Sequence, residues 1–350
     1  MLQKSFLQNS LTKKPIINNF IKNNSIKHIM LDIITIGSST MDVFVQTNTK
    51  TLKIRTKKDS QEYIAFPFGS KILINDLEHH TGGGGTNTAI TFADVGLKTG
   101  FLGNIGEDHN GDKILKELKE HKIKFLGKRQ GKTGFSVILD AEQDRTILAY
   151  KGGNNLLPIE LGKIRKVNAK NFYIASVTGE MFKLAQTIAR TKNKSKIFFN
   201  PSSYMTKKGI KYLSPILKKT FCLILNAEEA ELLTNHKGIK DNLKELAKKI
   251  VLEGIVIITQ SSKGAYVYYN NKIYSAEAKK VKVKETTGAG DAFASGFVSA
   301  FIHKKTIQTC IKAGLNNAES TIQHLGAKQG LLKKDLFLIA EKDNRNVKIV

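Results

Sequence analysis

Short apolar segments alternate with helical patterns along most of this 350-residue chain, and this alternation restricts the possible folds more than any other feature. Such alternation is typical of a parallel sheet with helices packed on both faces. The predicted strands are 33–37, 99–103, 171–175, 196–199, 222–226 and 255–259. The predicted helices are 87–96, 111–121, 181–191, 227–234, 241–252, 290–303 and 306–325. The sequence therefore predicts an α/β fold with a parallel-dominated central sheet.

Two segments interrupt this alternation. Residues 43–75 and 134–150 contain short stretches in which apolar and polar residues alternate, as in Phe135–Leu139, and this period predicts strands. Because a period of two places the apolar side chains on one face, the two segments predict a small additional β-sheet beside the central one.

The two ends of the chain differ from the rest. Residues 1–31 carry five lysines, no acidic residue and no regular apolar pattern. They predict a disordered N-terminal extension, or translation that begins at Met30. The predicted domain covers residues 32–335, and residues 336–350 are predicted to form a C-terminal tail.

The composition is that of a globular protein, with 41% hydrophobic and 25% charged residues. Cys222 and Cys310 lie in apolar patterns and are predicted to be buried thiols in a reducing compartment, so the cytoplasm is the expected location. No apolar run approaches the ~18 residues of a membrane span, and no membrane partner is expected.

The net charge of +26 raises the question of a nucleic-acid partner. Only six of the 56 basic residues are arginine, the side chain whose bidentate geometry suits bases and phosphates. The lysines are dispersed along helical patterns such as 242–250, where they predict a solvated face. Binding to nucleic acid is therefore not expected.

A glycine-rich turn at 286–292, with the sequence TTGAGDA, ends a polar-alternating stretch and begins an apolar helical pattern. The start of a helix presents unpaired N–H groups that attract anions. A carboxylate there repels a phosphate, so Asp291 is predicted to remove a proton from an attacking hydroxyl, with Gly288, Ala289 and Gly290 as the anion hole. The alternative, an ordinary loop with Asp291 as a favourable first-turn acid, stays open at this point.

Two other phosphate-binding motifs are excluded. The dinucleotide fingerprint requires glycine or alanine three residues after Gly290, where Phe293 stands. The segment Gly131–Thr133 lacks the spacing of a P-loop, and a strand-like pattern follows it where a helix is required.

A second glycine cluster, TGGGGTN at 81–87, precedes a helical pattern, the strand 99–103 and the segment Asn104–Asp108. This combination resembles the sugar-binding signature of the ribokinase, or PfkB-type, carbohydrate kinases, and the 286–292 turn resembles their other signature. The two occur in the family's order and at roughly its separation. The resemblance extends from about Asp32 to about Leu332.

The resemblance implies a ribokinase-like fold in which 43–75 and 134–150 form a β lid over the substrate. It implies transfer of the γ-phosphoryl group of ATP to a sugar hydroxyl. Asp42, after the first strand, would bind the sugar together with Gly82, Gly83 and Asn87. For Asn87, a helix cap is the alternative.

The resemblance also implies a nucleotide site. Asn226, Thr259, Gly264 and Thr287 would bind ATP, and Glu229 would hold Mg²⁺ through water. The alternative is that Asn226 is the N-cap of the helix at 227 and that Glu229 is an acid in its first turn.

Several positions depart from the family pattern. Ribokinases carry lysine at the position of Gly84, which puts ribose in question as the substrate. Ribokinases use the segment at Glu285 to bind a monovalent cation, often with aspartate there, so a K⁺ cofactor stays open. Ser261 replaces a glycine of the nucleotide site.

Three functions are compatible with these signatures. A sugar kinase is preferred, a nucleoside kinase of the same family is the alternative, and a catalytically silent sugar- or nucleotide-binding relative is a third. The expected partner is a small-molecule sugar or nucleoside, with a homodimer through the lid as a further expectation.

Overall fold

The computed structural model describes residues 30–46, 51–55, 60–64, 66–141 and 144–350. For residues 51–55, 60–64, 140, 141 and 144 it describes the backbone alone. Leu31–Val350 forms one compact unit. The predicted N-terminal extension lies almost wholly outside the described residues.

The strands of the described chain are β1 (Leu31–Ile36), β2 (Thr40–Gln46), β3 (Thr51–Arg55), β4 (Ser60–Ile64), β5 (Asp76–Gly82), β6 (Thr99–Leu102), β7 (Asn104–Ile105), β8 (Lys124–Phe125), β9 (Lys128–Arg129), β10 (Gly134–Ala141), β11 (Asp144–Tyr150), β12 (Ala169–Ile174), β13 (Lys196–Phe199), β14 (Thr220–Asn226), β15 (Ile255–Thr259), β16 (Ala265–Tyr269), β17 (Lys272–Ala276) and β18 (Lys348–Ile349).

The α-helices of the described chain are α1 (Gly84–Asp94), α2 (His109–Glu120), α3 (Glu180–Thr191), α4 (Ser203–Thr206), α5 (Gly209–Leu217), α6 (Ala227–Thr234), α7 (Ile239–Ala247), α8 (Ala289–Ile302), α9 (Ile307–Thr321) and α10 (Leu336–Lys342).

The central sheet has the strand order β18-β17-β16-β15-β14-β13-β12-β1-β6-β8. Its strands are parallel from β15 to β8 and antiparallel from β15 to β18. Neighbouring residues of one strand enter different cores, because side chains alternate across a sheet. Ile34 and Phe172 belong to one core, whereas Ile33 and Tyr173 belong to the other.

Helices cover both faces of this sheet. The first core includes residues of α3, α5, α6 and α7, and the second includes residues of α1, α8, α9 and α10. Full burial of one large apolar side chain stabilises the fold by about 1.5–3 kcal/mol, so burial on both faces favours long apolar runs in the strands. The predicted α/β fold with a parallel-dominated sheet is confirmed.

A second sheet has the order β11-β10-β2-β5 and includes part of both segments predicted to form additional strands. Its β2 pairs with β5 in antiparallel register, Thr40 opposite Gly82 and Asp42 opposite His80. β5 therefore lies entirely outside the predicted segment 43–75, and the small sheet reaches the glycine cluster at 81–87 directly.

The boundary placed at residue 335 is wrong, because the segment after it is built into the same compact unit. Leu336 and Ala340 of α10 are fully buried, and β18 pairs with β17. The Arg345 guanidinium lies 2.8 Å from Glu319 of α9. The segment 336–350, predicted to be a C-terminal tail, is therefore part of the folded domain.

The helices α4 and α5 lie between β13 and β14, where the sequence predicted none, and Pro215 lies inside α5.

In the part of the chain that the structure describes, no helix combines the length and apolarity that a membrane crossing requires.

Candidate active site

The glycine-rich turn at 286–292 forms the N-terminus of α8. Gly288 has a φ of 83°, and a Cβ atom there would lie 2.5 Å from the Cβ atom of Ala327. By contrast, a Cβ atom on Gly290 would face open space. The N–H of Ala289 donates to the Thr286 carbonyl at 3.2 Å, whereas the N–H of Gly290 meets no acceptor among the described residues. The turn therefore offers an open approach and an unpaired donor to an anion.

The glycine cluster at 81–87 connects β5 to α1. Gly83 has a φ of 98°, and a Cβ atom there would lie 2.6 Å from the carbonyl oxygen of Ser38. A Cβ atom on Gly82 would lie 1.9 Å from Oδ2 of Asp42. Glycine at 82 is thus what leaves room for the Asp42 carboxylate.

The two clusters meet through a hydrogen bond. The Nδ2 group of Asn87 donates to Oδ2 of Asp291 at 2.8 Å. Asn87 lies inside α1, with Gly83 at the N-cap, so the alternative assignment of Asn87 as a helix cap is wrong. Its Oδ1 atom is buried and has no hydrogen-bond partner among the described residues. An unpaired buried acceptor is costly, and a ligand hydroxyl would satisfy it.

Asp42 presents a second unpaired acceptor. It is 6% exposed, and its carboxylate accepts hydrogen bonds from Ser136 and Thr40. Its Oδ1 atom has no hydrogen-bond partner in the part of the chain that the structure describes. Burial raises the pKa of Asp42, and these hydrogen bonds oppose that rise. The structure therefore brings Asp42, Gly82, Gly83 and Asn87 together with Asp291.

The surroundings of Asp291 raise the pKa of its carboxyl group. Burial raises its pKa, the hydrogen bond from Asn87 lowers it, and the nearby negative charge of Asp42 raises it further. A Cβ atom on Gly84 would lie 3.3 Å from Oδ1 of Asp291, so any larger residue there would contact the carboxylate. A carboxylate with a raised pKa suits proton abstraction near neutral pH.

Asn226, predicted to bind ATP, and Glu229, predicted to hold Mg²⁺, form a local motif. Oδ1 of Asn226 accepts the N–H of Glu229 at 2.8 Å, and the Glu229 carboxylate accepts the N–H of Asn226 at 3.0 Å. This is the capping box of α6, as in the alternative assignment. Glu229 is buried, and burial raises its pKa. Its role toward a metal stays a prediction.

The other residues of the predicted nucleotide site lie at strand ends and turns. Thr259 pairs with Asn226 at the ends of β15 and β14. Gly264 has a φ of +90°, and a Cβ atom there would lie 2.0 Å from the Ala276 carbonyl, so the turn itself requires glycine. No hydrogen bond in the described part of the chain joins these residues to Thr287.

Thr287 is held by Glu285 at the entrance to α8. The hydroxyl and the N–H of Thr287 donate to Oε1 of Glu285 at 2.8 and 2.7 Å. Arg145 of β11 lies 3.3 Å from the same oxygen and donates to the Thr286 hydroxyl. The small sheet therefore contacts the turn directly.

One residue of this site was not predicted. Lys328, in the loop after α9, lies with its Nζ atom 2.7 Å from Glu117 and 3.2 Å from the Thr81 hydroxyl. It interacts electrostatically with both Asp42 and Asp291. In a chain so rich in lysine, no local pattern distinguishes this one, because only the tertiary fold buries it.

The chain is similar to known sugar and nucleoside kinases. The chain is 24% identical over 316 residues to a ribokinase of Lactococcus lactis, an alignment that covers 87% of this chain and 95% of the relative. It is 22% identical to a cytidine kinase of Thermococcus kodakarensis, with 85% and 98% covered. The structure of Arabidopsis thaliana ribokinase complexed with ribose and ATP superposes with a TM-score of 0.72 at 20% identity, covering 90% of this chain and all of that one.

The fold and the site together define a phosphotransferase that acts on an alcohol group. The model of the pfkB family of carbohydrate kinases matches residues 47–334, and the chain belongs to this family. It is a sugar or nucleoside kinase with the ribokinase-like fold that the resemblance implied.

Proposed function

We propose that this protein is an ATP-dependent sugar kinase in which Asp291 is the general base and the backbone of Gly288–Gly290 is the anion hole. The observation that carries the proposal is the 2.8 Å hydrogen bond between Asn87 and Asp291. It joins an amide of the predicted sugar site to a carboxylate in the first turn of the helix that would receive the phosphate.

In the proposed reaction, the acceptor hydroxyl lies against Asp291. Its proton moves to the carboxylate as its oxygen bonds to the γ-phosphorus, and the bond from that phosphorus to the bridging oxygen of ADP breaks. Other sugar hydroxyls donate to Oδ1 of Asp42 and Oδ1 of Asn87, the two unpaired acceptors. Fixing the sugar in this way aligns the attacking oxygen.

The proposed site for the donor phosphates is the N-terminus of α8. The unpaired N–H of Gly290 and the open space above it fit a phosphate group that approaches the backbone. Thr287 would contact the phosphates, while Asn226, Thr259 and Gly264 would contact the rest of ATP. Mg²⁺, when bound, neutralises charge on the donor phosphates, and Glu229 would hold its water shell. The ATP in the complex of Arabidopsis ribokinase supports this donor.

For the monovalent cation, we expect at most a weak dependence on K⁺. The guanidinium of Arg145 already lies 3.3 Å from Glu285 and supplies a positive charge at this segment. Turnover should be similar in K⁺, Na⁺ and tetramethylammonium salts at equal ionic strength. Strong activation by K⁺ alone would contradict this expectation.

The proposed acceptor is a free sugar. A carboxylate and an amide oxygen suit vicinal hydroxyls, and a site that binds hydroxyls in this way rejects analogues that lack them. The alternative is a nucleoside, which the similarity to a cytidine kinase supports.

The test is a screen of ATP consumption against pentoses, hexoses, sugar phosphates and nucleosides. A nucleoside that exceeds every free sugar in kcat/KM by about ten-fold would replace the sugar and leave the mechanism standing. No turnover with any acceptor, in protein shown to bind ATP, would favour the catalytically silent relative.

We also propose a homodimer through the small sheet. Several apolar side chains on this sheet are exposed, and larger exposed apolar patches mark association sites. Leu77, Leu148 and Tyr150 share one face of the sheet, and Ile147 lies on the other. Sedimentation equilibrium should give a dimer that Leu148→Asp dissociates, and a wild-type monomer at micromolar concentration would exclude it.

A further inference from the structure

The side chain of Lys328 is almost completely buried, with 5% of its surface exposed. Its Nζ atom donates to Oε2 of Glu117 at 2.7 Å and to the hydroxyl of Thr81 at 3.2 Å. The Thr81 hydroxyl also donates to Glu117 at 2.7 Å. A buried ammonium is costly unless it is paired, and these two partners hold it in one place.

The hydrogen-bond partner Thr81 and the chain neighbour Ala327 both adjoin residues of the kinase site. Thr81 precedes Gly82, whose Cα faces Oδ2 of Asp42. Ala327, next to Lys328, packs against Gly288 at the start of α8. Lys328 therefore lies between β5, whose Gly82 adjoins Asp42, and the start of the helix that carries Asp291.

Asp42 and Asp291 need a compensating charge. Burial raises the pKa of both carboxyl groups, and the nearby negative charge of Asp42 raises the pKa of Asp291 further. Lys328 is the cation that interacts with both of them. The other titratable groups that face the set are Glu117 beside Lys328, His80 beside Asp42 and the buried Tyr173 beside Asp291.

We infer that Lys328 is a positioning residue of the kinase site: its ammonium, held by Glu117 and Thr81, keeps Asp42 and Asp291 in the carboxylate form. In that form Asp42 accepts sugar hydroxyls and Asp291 accepts the proton of the attacking hydroxyl. The inference rests on the proposed function for its catalytic meaning, whereas the charge state of the two carboxyl groups can be measured without turnover.

The experiment compares Lys328→Met, which keeps much of the buried stem, with Lys328→Arg, which keeps the charge. Lys334→Met is the matched control, a lysine of the same loop that is exposed. The readouts are the pH profile of kcat/KM, the KM values for acceptor and ATP, and the titration of both carboxyl groups by ¹³C NMR, assigned with Asp42→Asn and Asp291→Asn.

In Lys328→Met, the acid limb of the profile and both NMR titrations should move to higher pH by about 1 unit, the lower end of what a neighbouring opposite charge produces. The acceptor KM should rise while the ATP KM stays the same. Lys328→Arg should restore most of the shift, and Lys334→Met should behave as wild type.

Unchanged titrations in folded Lys328→Met would overturn the inference, whatever the activity. If Lys328→Met does not fold, Lys328→Arg and Lys328→Gln provide the same comparison, and equal titrations in those two would overturn it as well. If the wild type shows no turnover but the titrations shift as expected in Lys328→Met, the proposed function is contradicted and the electrostatic role of Lys328 stands.

Discussion

Asn87 of α1 donates a hydrogen bond to Asp291 of α8 across 2.8 Å, although 204 residues separate them in the chain. The bond fixes one carboxylate oxygen of Asp291, and the other has no hydrogen-bond partner among the described residues. It also orients the amide of Asn87, whose buried Oδ1 atom likewise finds no partner in the described part of the chain. One contact thus couples the proposed base to the proposed sugar site, and the first two predictions depend on it.

Asp291→Asn should fold normally and lose most of its turnover. A general base typically contributes ~10²–10⁴-fold, and an amide cannot take up the proton. ATP affinity, measured by calorimetry, should stay the same or increase slightly, because a charge that repels phosphate is gone. A variant that keeps most of the wild-type kcat at saturating substrates would show that Asp291 is not the base.

The acid limb of the pH profile should report the raised pKa of Asp291. The base acts only when it is ionised, so activity is lost as pH falls through this pKa, which burial places above the 3.8 of an ordinary aspartate. In Asn87→Ala the limb should move to still higher pH, because the hydrogen bond that favours the carboxylate is absent.

The matched control for Asn87→Ala is Asn171→Ala, which removes a similarly buried amide that donates to the Asp32 carbonyl at 2.9 Å. This variant should lose some stability and keep the wild-type profile. An acid limb that does not move in Asn87→Ala would argue that another group sets it.

Gly82→Ala should weaken sugar binding selectively. The added Cβ atom would lie 1.9 Å from Oδ2 of Asp42, so the carboxylate must move. We expect the acceptor KM to rise by about 10-fold or more and the ATP KM to stay the same. Gly162→Ala is the control, since a Cβ atom there meets nothing within 4 Å. Equal effects on both KM values would point to general misfolding.

Gly290→Ala should leave the fold intact and impair catalysis. A Cβ atom at 290 meets no protein atom within 4 Å, so the melting temperature should match that of the wild type. The methyl group would instead occupy space proposed for the donor phosphate and lower kcat by up to ~10²-fold. Wild-type kcat in this variant would place the phosphate elsewhere.

A chain that begins at Met30 should match the full-length protein in melting temperature and kcat/KM. Leu31–Val350 contains both cores and both glycine clusters within one compact unit. A clear loss of either property on truncation would show that residues 1–29 contribute to the folded kinase.

Much of the fold was predictable because burial on both faces produces local patterns. The strands at 196–199 and 255–259 were predicted with the observed bounds, since each is a short apolar run. By contrast, α5 was missed because Pro215 is unfavourable in a helix. Burial of Leu213, Ile216 and Leu217 outweighs that preference, and burial depends on distant residues.

The sequence by itself determined the local features of this protein: a glycine-rich turn with an adjacent carboxylate, a second glycine cluster, the capping residues of α6 and the apolar strand patterns of a parallel sheet. These are short-range properties, set by the spacing of residues within one element. Only the tertiary structure decided that Asn87 contacts Asp291 and that Lys328 is buried beside Glu117. Such contacts depend on how α1, α2 and α8 pack against the sheet, and no local spacing encodes that geometry.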